Sequence, residues 1–352
     1  MVLFFFIVSF GLLFWNEGRV DLSGVAEKAI HINPEEEVSQ ELEGKFVSMT
    51  GVVKSDEMIG DTYLSKGNYL SVQREVEMYA WVEEKSTQTQ KNMGGSETTE
   101  TTYTYKKEWT TSPENSSKFK YPVDHQNPGI AIEGNTTRVK NAKIGMYNLV
   151  VDRIRFPQHN LIPLNSQNVI LQNGLKLVSS NYLYAGKGTL ENPEIGDIRI
   201  KYLTLDNPLQ TGTVFGQMDR VNKKIVPYFE SKDVGLYRMF IGTRDSAISE
   251  LSYEYQFTTW MLRLAGFLLM WFGLMLLFKP ISVFLDVLPI LGDIGGIGIG
   301  LATFVVSLVL SIVTIVVSMI FHSVIAVILV VISGFIGLSL YMKAKAKKLG
   351  KK

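Results

Sequence analysis

Cysteine is absent from the 352 residues, which excludes disulfides, thiolate nucleophiles and cysteine-held zinc. It leaves the redox compartment open, because a chain without thiols is compatible with either. Histidine is scarce. The four, His31, His125, His159 and His322, lie far apart and none has the spacing of a helical metal site, so they read as surface or packing residues. No G-x-S-x-G turn presents a serine, and no G-x-x-x-x-G-K-[ST] loop could cradle a phosphate. The run 296–300 (GIGIG) echoes a dinucleotide fingerprint but follows no strand and opens an apolar segment, so its context is wrong. Glu191, Glu194 and Asp197 cluster around Asn192-Pro193 and Gly196, which makes a turn feeding a strand a better reading than a calcium site. No catalytic residue, cofactor site or metal site is therefore expected.

Charge is missing in one place above all. Residues 294–342 contain no Asp, Glu, Lys or Arg, and a second apolar block, 260–278, holds only Arg263. A helix needs roughly 20 apolar residues to cross the ~30 Å hydrocarbon layer, where its backbone groups must be satisfied internally. Spans are expected at about 258–278, 297–321 and 323–342. The first fifteen residues, MVLFFFIVSFGLLFW, carry no charge either, and they lack the basic flank and small-residue cleavage site of a signal peptide. They are read as an uncleaved anchor.

Four spans put both termini on one side. Six lysines in the last ten residues mark that side as cytoplasmic and would favour anionic headgroups. The layout predicted is an N-terminal anchor (1–15), a lumenal or periplasmic domain (16–256), three C-terminal helices (257–342) and a lysine tail (343–352). Without the tail the chain is net acidic, with 29 basic against 34 acidic residues, which argues against nucleic acid as a partner. The sequons at Asn115 and Asn135 would accept glycans on the lumenal side in a eukaryote.

The polar region reads as mainly β with some helix. Residues 46–53, 75–83 (EVEMYAWVE), 98–109, 197–205, 214–220, 224–229 and 235–243 have strand composition or period-two alternation. Residues 87–97 are expected as a long exposed hairpin loop. Helix is expected at 142–152 and 163–177, and also at 24–30 and 34–42. Whether this region is one β domain or two, joined near 130–190, stays open. On the strand at 75–83, Glu77, Tyr79, Trp81 and Glu83 share one face, and Tyr105 and Trp109 share a face of its expected neighbour. Cross-strand aromatic packing and a partner-binding patch both fit.

Two features stand out in the apolar block. Gly292, Gly296 and Gly300 fall at four-residue spacing, continued by Thr303, Ser307 and Ser311, and such a stripe lets membrane helices approach closely. It would serve packing within the chain or self-association. Arg263, one turn after Trp260, is expected to snorkel to the interface.

Several stretches together resemble the transmembrane protein 43 (LUMA) family. They are Asn16-Glu17-Gly18-Arg19; Val76 to Tyr79 with Trp81-Val82-Glu83; Tyr103, Tyr105 and Glu108-Trp109; Asn127-Pro128; Pro193-Glu194 with Gly196-Asp197 and Arg199; Val226-Pro227; and Thr259-Trp260 with Leu262-Arg263 and Ala265-Gly266. The resemblance implies an N-terminal anchor, a large lumenal domain, clustered C-terminal spans and no catalytic residues to carry over. Animal members are scaffolds of the endoplasmic reticulum and inner nuclear membrane that associate with themselves, with emerin and with lamins. This chain departs from them in lacking cysteine and in starting at the first span. That fits a bacterial inner membrane, where emerin and lamins have no counterpart.

The expectation is a non-enzymatic, homo-oligomeric scaffold in the lipid bilayer. Its rivals are a channel or channel regulator, and a membrane hydrolase or lipid-modifying enzyme without a recognisable motif.

Overall fold

The computed structural model of the chain describes residues 2–91, 97–285, 292–323 and 332. In chain order the elements are α1 (Val2–Glu17), α2 (Leu22–Glu27), β1 (Ile30–Ile32), β2 (Phe46–Lys54), β3 (Tyr69–Lys91), β4 (Glu97–Thr110), β5 (Asn135–Arg138), β6 (Ala142–Ile144), β7 (Tyr147–Leu149), β8 (Asn160–Leu161), β9 (Lys176–Leu177), β10 (Leu183–Ala185), β11 (Ile198–Asp206), β12 (Leu209–Asp219), β13 (Lys224–Val226), β14 (Tyr228–Ser231), β15 (Val234–Leu236), β16 (Arg238–Ile241), α3 (Arg244–Leu285) and α4 (Gly292–His322). They divide into a β unit, residues 22–89 and 99–252, and a membrane unit, residues 1–21, 90–98 and 253–352.

The β unit has two seven-stranded sheets and a small two-stranded one. In the first sheet β2, β6, β7, β13 and β12 close a ring, because β12 pairs with β2 from Leu209 to Gln217 as well as with β13. Closure removes edges that would otherwise be open to other chains. The second sheet runs β4-β3-β11-β10-β9, with β5 on β3 and β8 on β11. Its alternation is that of a half-buried strand: Ile198, Ile200, Tyr202 and Thr204 of β11 are buried on one side. On the other side Arg199 and Lys201 lie opposite Glu77 and Glu75 of β3 and pair with them at 2.7 and 3.0 Å. One apolar core draws on both sheets, joining Val47 and Met49 to Val76, Met78 and Ile200. The two sheets of the β unit therefore share one main core. A smaller cluster gathers Val25, Ala26, Phe46, Phe215, Phe240, Ala247 and Leu251. There Arg244 donates to the Glu27 carbonyl at 2.9 Å and so caps the end of α2.

Each expected strand overlaps an observed one, though 235–243 divides at Tyr237 into β15 and β16 and ends at Ile241, and several other readings change. Residues 142–152 are not helix. Ala142, Ile144, Tyr147, Leu149 and Val151 are buried between more exposed neighbours, and Gly145 turns the chain at φ +53°, so the period is two and a hairpin forms. Residues 163–177 are turns and the short β9. Asn165 accepts from the Gln167 and Asn168 amides, and Asn173 and Gly174 adopt positive φ, which is turn chemistry. Within 34–42 only a 3-10 turn, Gln40–Leu42, forms, and within 24–30 the helix stops at Glu27 before β1. The 87–97 loop shrinks from both sides, since β3 continues to Lys91 and β4 resumes at Glu97; residues 92–96 lie outside the described residues. The run 224–229 divides at Pro227, which has no N–H for a ladder.

In the membrane unit three described helical stretches, within 3–27, 244–280 and 298–322, are long and apolar enough to cross a membrane. The apolar part of the first is α1 itself, since the chain leaves the helix after Glu17. The expected span at 323–342, apart from Ser323 and Ile332, and the lysine tail lie outside the described residues. Close approach of α1 and α3 depends on Gly266 and Gly273, two turns apart. A Cβ on Gly266 would stand 2.5 Å from the Leu13 side chain, and one on Gly273 would stand 2.8 Å from the Phe6 backbone nitrogen. Helix α4 joins the pair through Ser318, whose hydroxyl donates to the Phe14 carbonyl at 2.8 Å.

Candidate functional site

The residues singled out in the β unit converge. On the outer face of β3 and β4 the Tyr79 and Trp109 rings meet at 5.4 Å, and Trp109 meets Tyr184 at 6.2 Å. The Arg199 guanidinium, fixed by Glu77, lies 4.5 Å from the centre of Trp109 and 4.8 Å from that of Tyr182. Lys107 sits 4.6 Å over Trp81. Cationic groups stacked on indole faces are held by the ring quadrupole and by shared desolvation.

His125 lies flat on Tyr105 at 3.6 Å and edge-on to Trp81 at 4.7 Å. The Tyr105 hydroxyl donates to Glu83 at 2.5 Å and accepts from the Tyr121 amide at 2.9 Å. That bond and the Lys120 amide hold the Glu83 carboxyl below its usual range, against a smaller upward push from burial. Tyr79, Trp81, Tyr105 and Trp109 are all half-buried. The rings pack on one another and still offer a mixed aromatic and charged surface.

Two residues already noted in the sequence, Asn127 in the family resemblance and Asp197 in the acidic turn, give the geometry its shape. Asn127 bonds both backbone groups of Trp81: its side-chain oxygen accepts from the Trp81 N–H at 2.7 Å and its amide donates to the Trp81 carbonyl at 2.9 Å. Asp197, at 2% exposure, accepts from the Lys187, Gly188 and Glu194 amides at 2.9, 3.0 and 2.7 Å and from the Tyr184 hydroxyl. Burial pushes its carboxyl up, but the Tyr184 hydroxyl and these three amides prevail and hold it below the ordinary range. The Glu191, Glu194 and Asp197 group is thus a turn closed on one carboxylate. Asp61 is a similar lock. Its carboxylate takes Arg74 and Tyr202, each at 2.6 Å; burial pushes the carboxyl up, but Tyr202, the Thr62 amide and Arg74 prevail and hold it below the ordinary range. Burial and the Asp61 carboxylate push the Tyr202 hydroxyl far up.

In the membrane unit Arg263 lies 4.9 Å from the centre of the neighbouring Trp260 ring, but it does not snorkel alone. Its Nε and an Nη donate to the two oxygens of Glu17, each at 2.8 Å, in the bidentate geometry that favours Arg over Lys. The Glu17 side chain is 4% exposed. Both partners are visible in the sequence, as the first charge after one apolar run and the lone charge inside another. What links them is that opposite charges near hydrocarbon find each other.

Gly292, Gly296 and Gly300 all fall within α4. From Gly300 onward the stripe faces α3: Trp271 Nε1 donates to the Gly300 carbonyl at 3.2 Å and Ser311 to the Met270 sulfur at 3.4 Å. Thr303 and Ser307 are buried. The opposite side of α4, with Leu301, Val305, Val309 and Ile312, is exposed and apolar, as a lipid-facing side must be.

A β body attached to helices of this apolarity defines an integral membrane protein. The family model described as Transmembrane protein 43 matches residues 78–324, and the chain belongs to that family. It is 28% identical to Transmembrane protein 43 of Mus musculus and 27% identical to that of Homo sapiens, each over 87% of this chain and 80% of the relative. It is 27% identical to the Transmembrane protein 43 homolog of Drosophila melanogaster over 74% of this chain and 71% of that one. No solved structure matches the chain.

Proposed function

We propose that the protein is a non-enzymatic membrane organiser whose β unit, outside the cytoplasm, associates with further copies of the chain and with other membrane or envelope proteins. The observation that carries this reading is the half-buried ladder of Tyr79, Trp81, Tyr105 and Trp109, flanked by Lys107 and Arg199. Rigid aromatic rings beside arginine are the usual anchors of protein contacts. The buried carboxylates support it from the other direction. Asp61 and Asp197 have their oxygens occupied by tyrosine hydroxyls, an arginine and backbone amides, so they act as structural locks with ordinary carboxylate character suppressed.

Cross-linking in native membranes, followed by purification and mass spectrometry, tests the reading. Links from Lys107 and neighbouring lysines to a second copy or to a foreign membrane protein, lost in Trp81→Ala/Trp109→Ala with the fold intact, are the expected result. Links that survive the double variant unchanged would move the contact elsewhere on the molecule. A turnover that requires Asp61 or Asp197 would replace the organiser by an enzyme.

A further inference from the structure

Where α1 ends, α3 passes residues 255–263 and α4 ends, the membrane unit holds an open cavity of about 400 Å³. Its wall includes Glu17 with Arg263, Tyr255 with Trp260, and Thr259 with His322. Three observations say what would fill it. Thr259 is 6% exposed, yet its hydroxyl has no hydrogen-bond partner among the described residues. A buried hydroxyl left so is costly, so the cavity is one polar contact short of complete. Arg263 spends two of its five N–H donors on Glu17, and its fork geometry also suits a phosphate. Trp260, finally, is the kind of residue that marks the headgroup level of a bilayer, and the apolar α3 and α4 run from this level into the hydrocarbon stretches.

The charge balance narrows the ligand. Glu17 and Arg263 cancel each other, which leaves Arg19 over Tyr255 as a single surplus cation, short of the basic cluster that draws an anionic headgroup. The aromatic rings already carry cations, Arg19 at 5.6 Å from Tyr255 and Arg263 at 4.9 Å from Trp260, which disfavours an aromatic cage for a quaternary ammonium. What is left is a donor set for a phosphodiester beside a carboxylate acceptor for an N–H-bearing ammonium.

We propose that this cavity binds the headgroup of a phospholipid carrying a primary ammonium, of the phosphatidylethanolamine type. The phosphodiester lies against Arg263 and Thr259, and the ammonium lies against Glu17. The proposal is independent of the partner reading above, since a lipid can be held with or without protein contacts at the β unit.

The test uses the full chain in phosphatidylcholine nanodiscs containing equal minor shares of phosphatidylethanolamine and phosphatidylglycerol, with retained lipid read by native mass spectrometry after stepwise delipidation. Phosphatidylethanolamine should outlast the other two. Thr259→Val should lower its retention about fivefold, the effect of one hydrogen bond, with the thermal midpoint of the delipidated chain held or raised, because the variant removes a buried hydroxyl that has no partner among the described residues. Thr259→Ser should restore it. Retention in proportion to bilayer composition, a preference for phosphatidylglycerol, or a Thr259→Val variant that retains lipid like the parent would each overturn the proposal. Competition by soluble glycerophosphoethanolamine at the same concentration would overturn the lipid assignment in favour of a soluble phosphoamine.

Discussion

The two units solve burial in opposite ways. In the β unit the large side chains go inward: Tyr147, Tyr202, Phe215 and Phe240 are almost wholly buried, and its charged side chains pair across strands, sit on the surface or, like Asp197, are buried with their hydrogen bonds filled. In the membrane unit Ser9, Asn16, Thr303, Ser307, Ser311 and Ser318 are buried, while Leu301, Val305, Val309 and Phe321 are exposed. Water rewards hiding apolar area, whereas lipid does not distinguish it from the interior, so helices there come together through small and polar residues. The same residue type therefore has a different value in the two units.

Removing a charge partner should separate the units most sharply. Glu17→Ala leaves the half-buried Arg263 guanidinium without its counter-ion and should cost about 3 kcal/mol, the low end for a broken buried pair, read as thermal unfolding of the reconstituted chain. Glu17→Ala/Arg263→Met should recover most of the loss, and a double variant as unstable as the single one would contradict the pairing.

In the β unit the comparable step is Asp197→Asn, which turns an acceptor for three amides and a hydroxyl into a group with its own N–H donors. A loss of about 2–3 kcal/mol is expected. The pH dependence follows from the depressed carboxyl. As pH falls the unfolded chain takes the proton first, so the contribution is complete above about pH 4 and fades as pH drops through the lower folded value. Acid titration of the β unit's near-ultraviolet dichroism should therefore show a limb below about pH 4 that is shallower in Asp197→Asn.

Steric effects rank next. Gly273→Val would press a side chain into the Phe6 backbone and should cost about 1–3 kcal/mol. Gly298→Ala, where a Cβ meets nothing within 4 Å, should cost nothing and serves as the control. Smallest is Lys201→Ala, which breaks a partly exposed cross-strand pair with Glu75 and should change stability by under about 1 kcal/mol. Denaturant midpoints of matched variants check both.

Much of this division is legible before any coordinates. The uncharged runs announce helices for lipid, and the alternation in EVEMYAWVE announces a half-buried strand, because both signals come from the medium next to each residue. The aromatic ladder is legible for the same reason, since strand period puts Tyr79 and Trp81 on one face. Residues 142–152 mislead because their apolar residues are many and spaced closely enough to suit either period, and only the Gly145 turn decides. Glu17 with Arg263, and Asp61 with Arg74 and Tyr202, are long-range pairings that no local spacing encodes. The hydroxyl of Thr259 is the extreme case, for what matters about it is a missing bond.

Asn127 has one more consequence. Its carboxamide presents to Trp81 the same donor and acceptor that a neighbouring peptide unit would, just beyond the point where β11 stops following β3 at Tyr79. It is in effect a strand one residue long. An intruding chain that sought to extend the sheet there would have to displace two hydrogen bonds before gaining any, and would meet Glu83, Glu84 and Lys85 next. A single side chain thus occupies the backbone groups of Trp81 where the pairing with β11 ends.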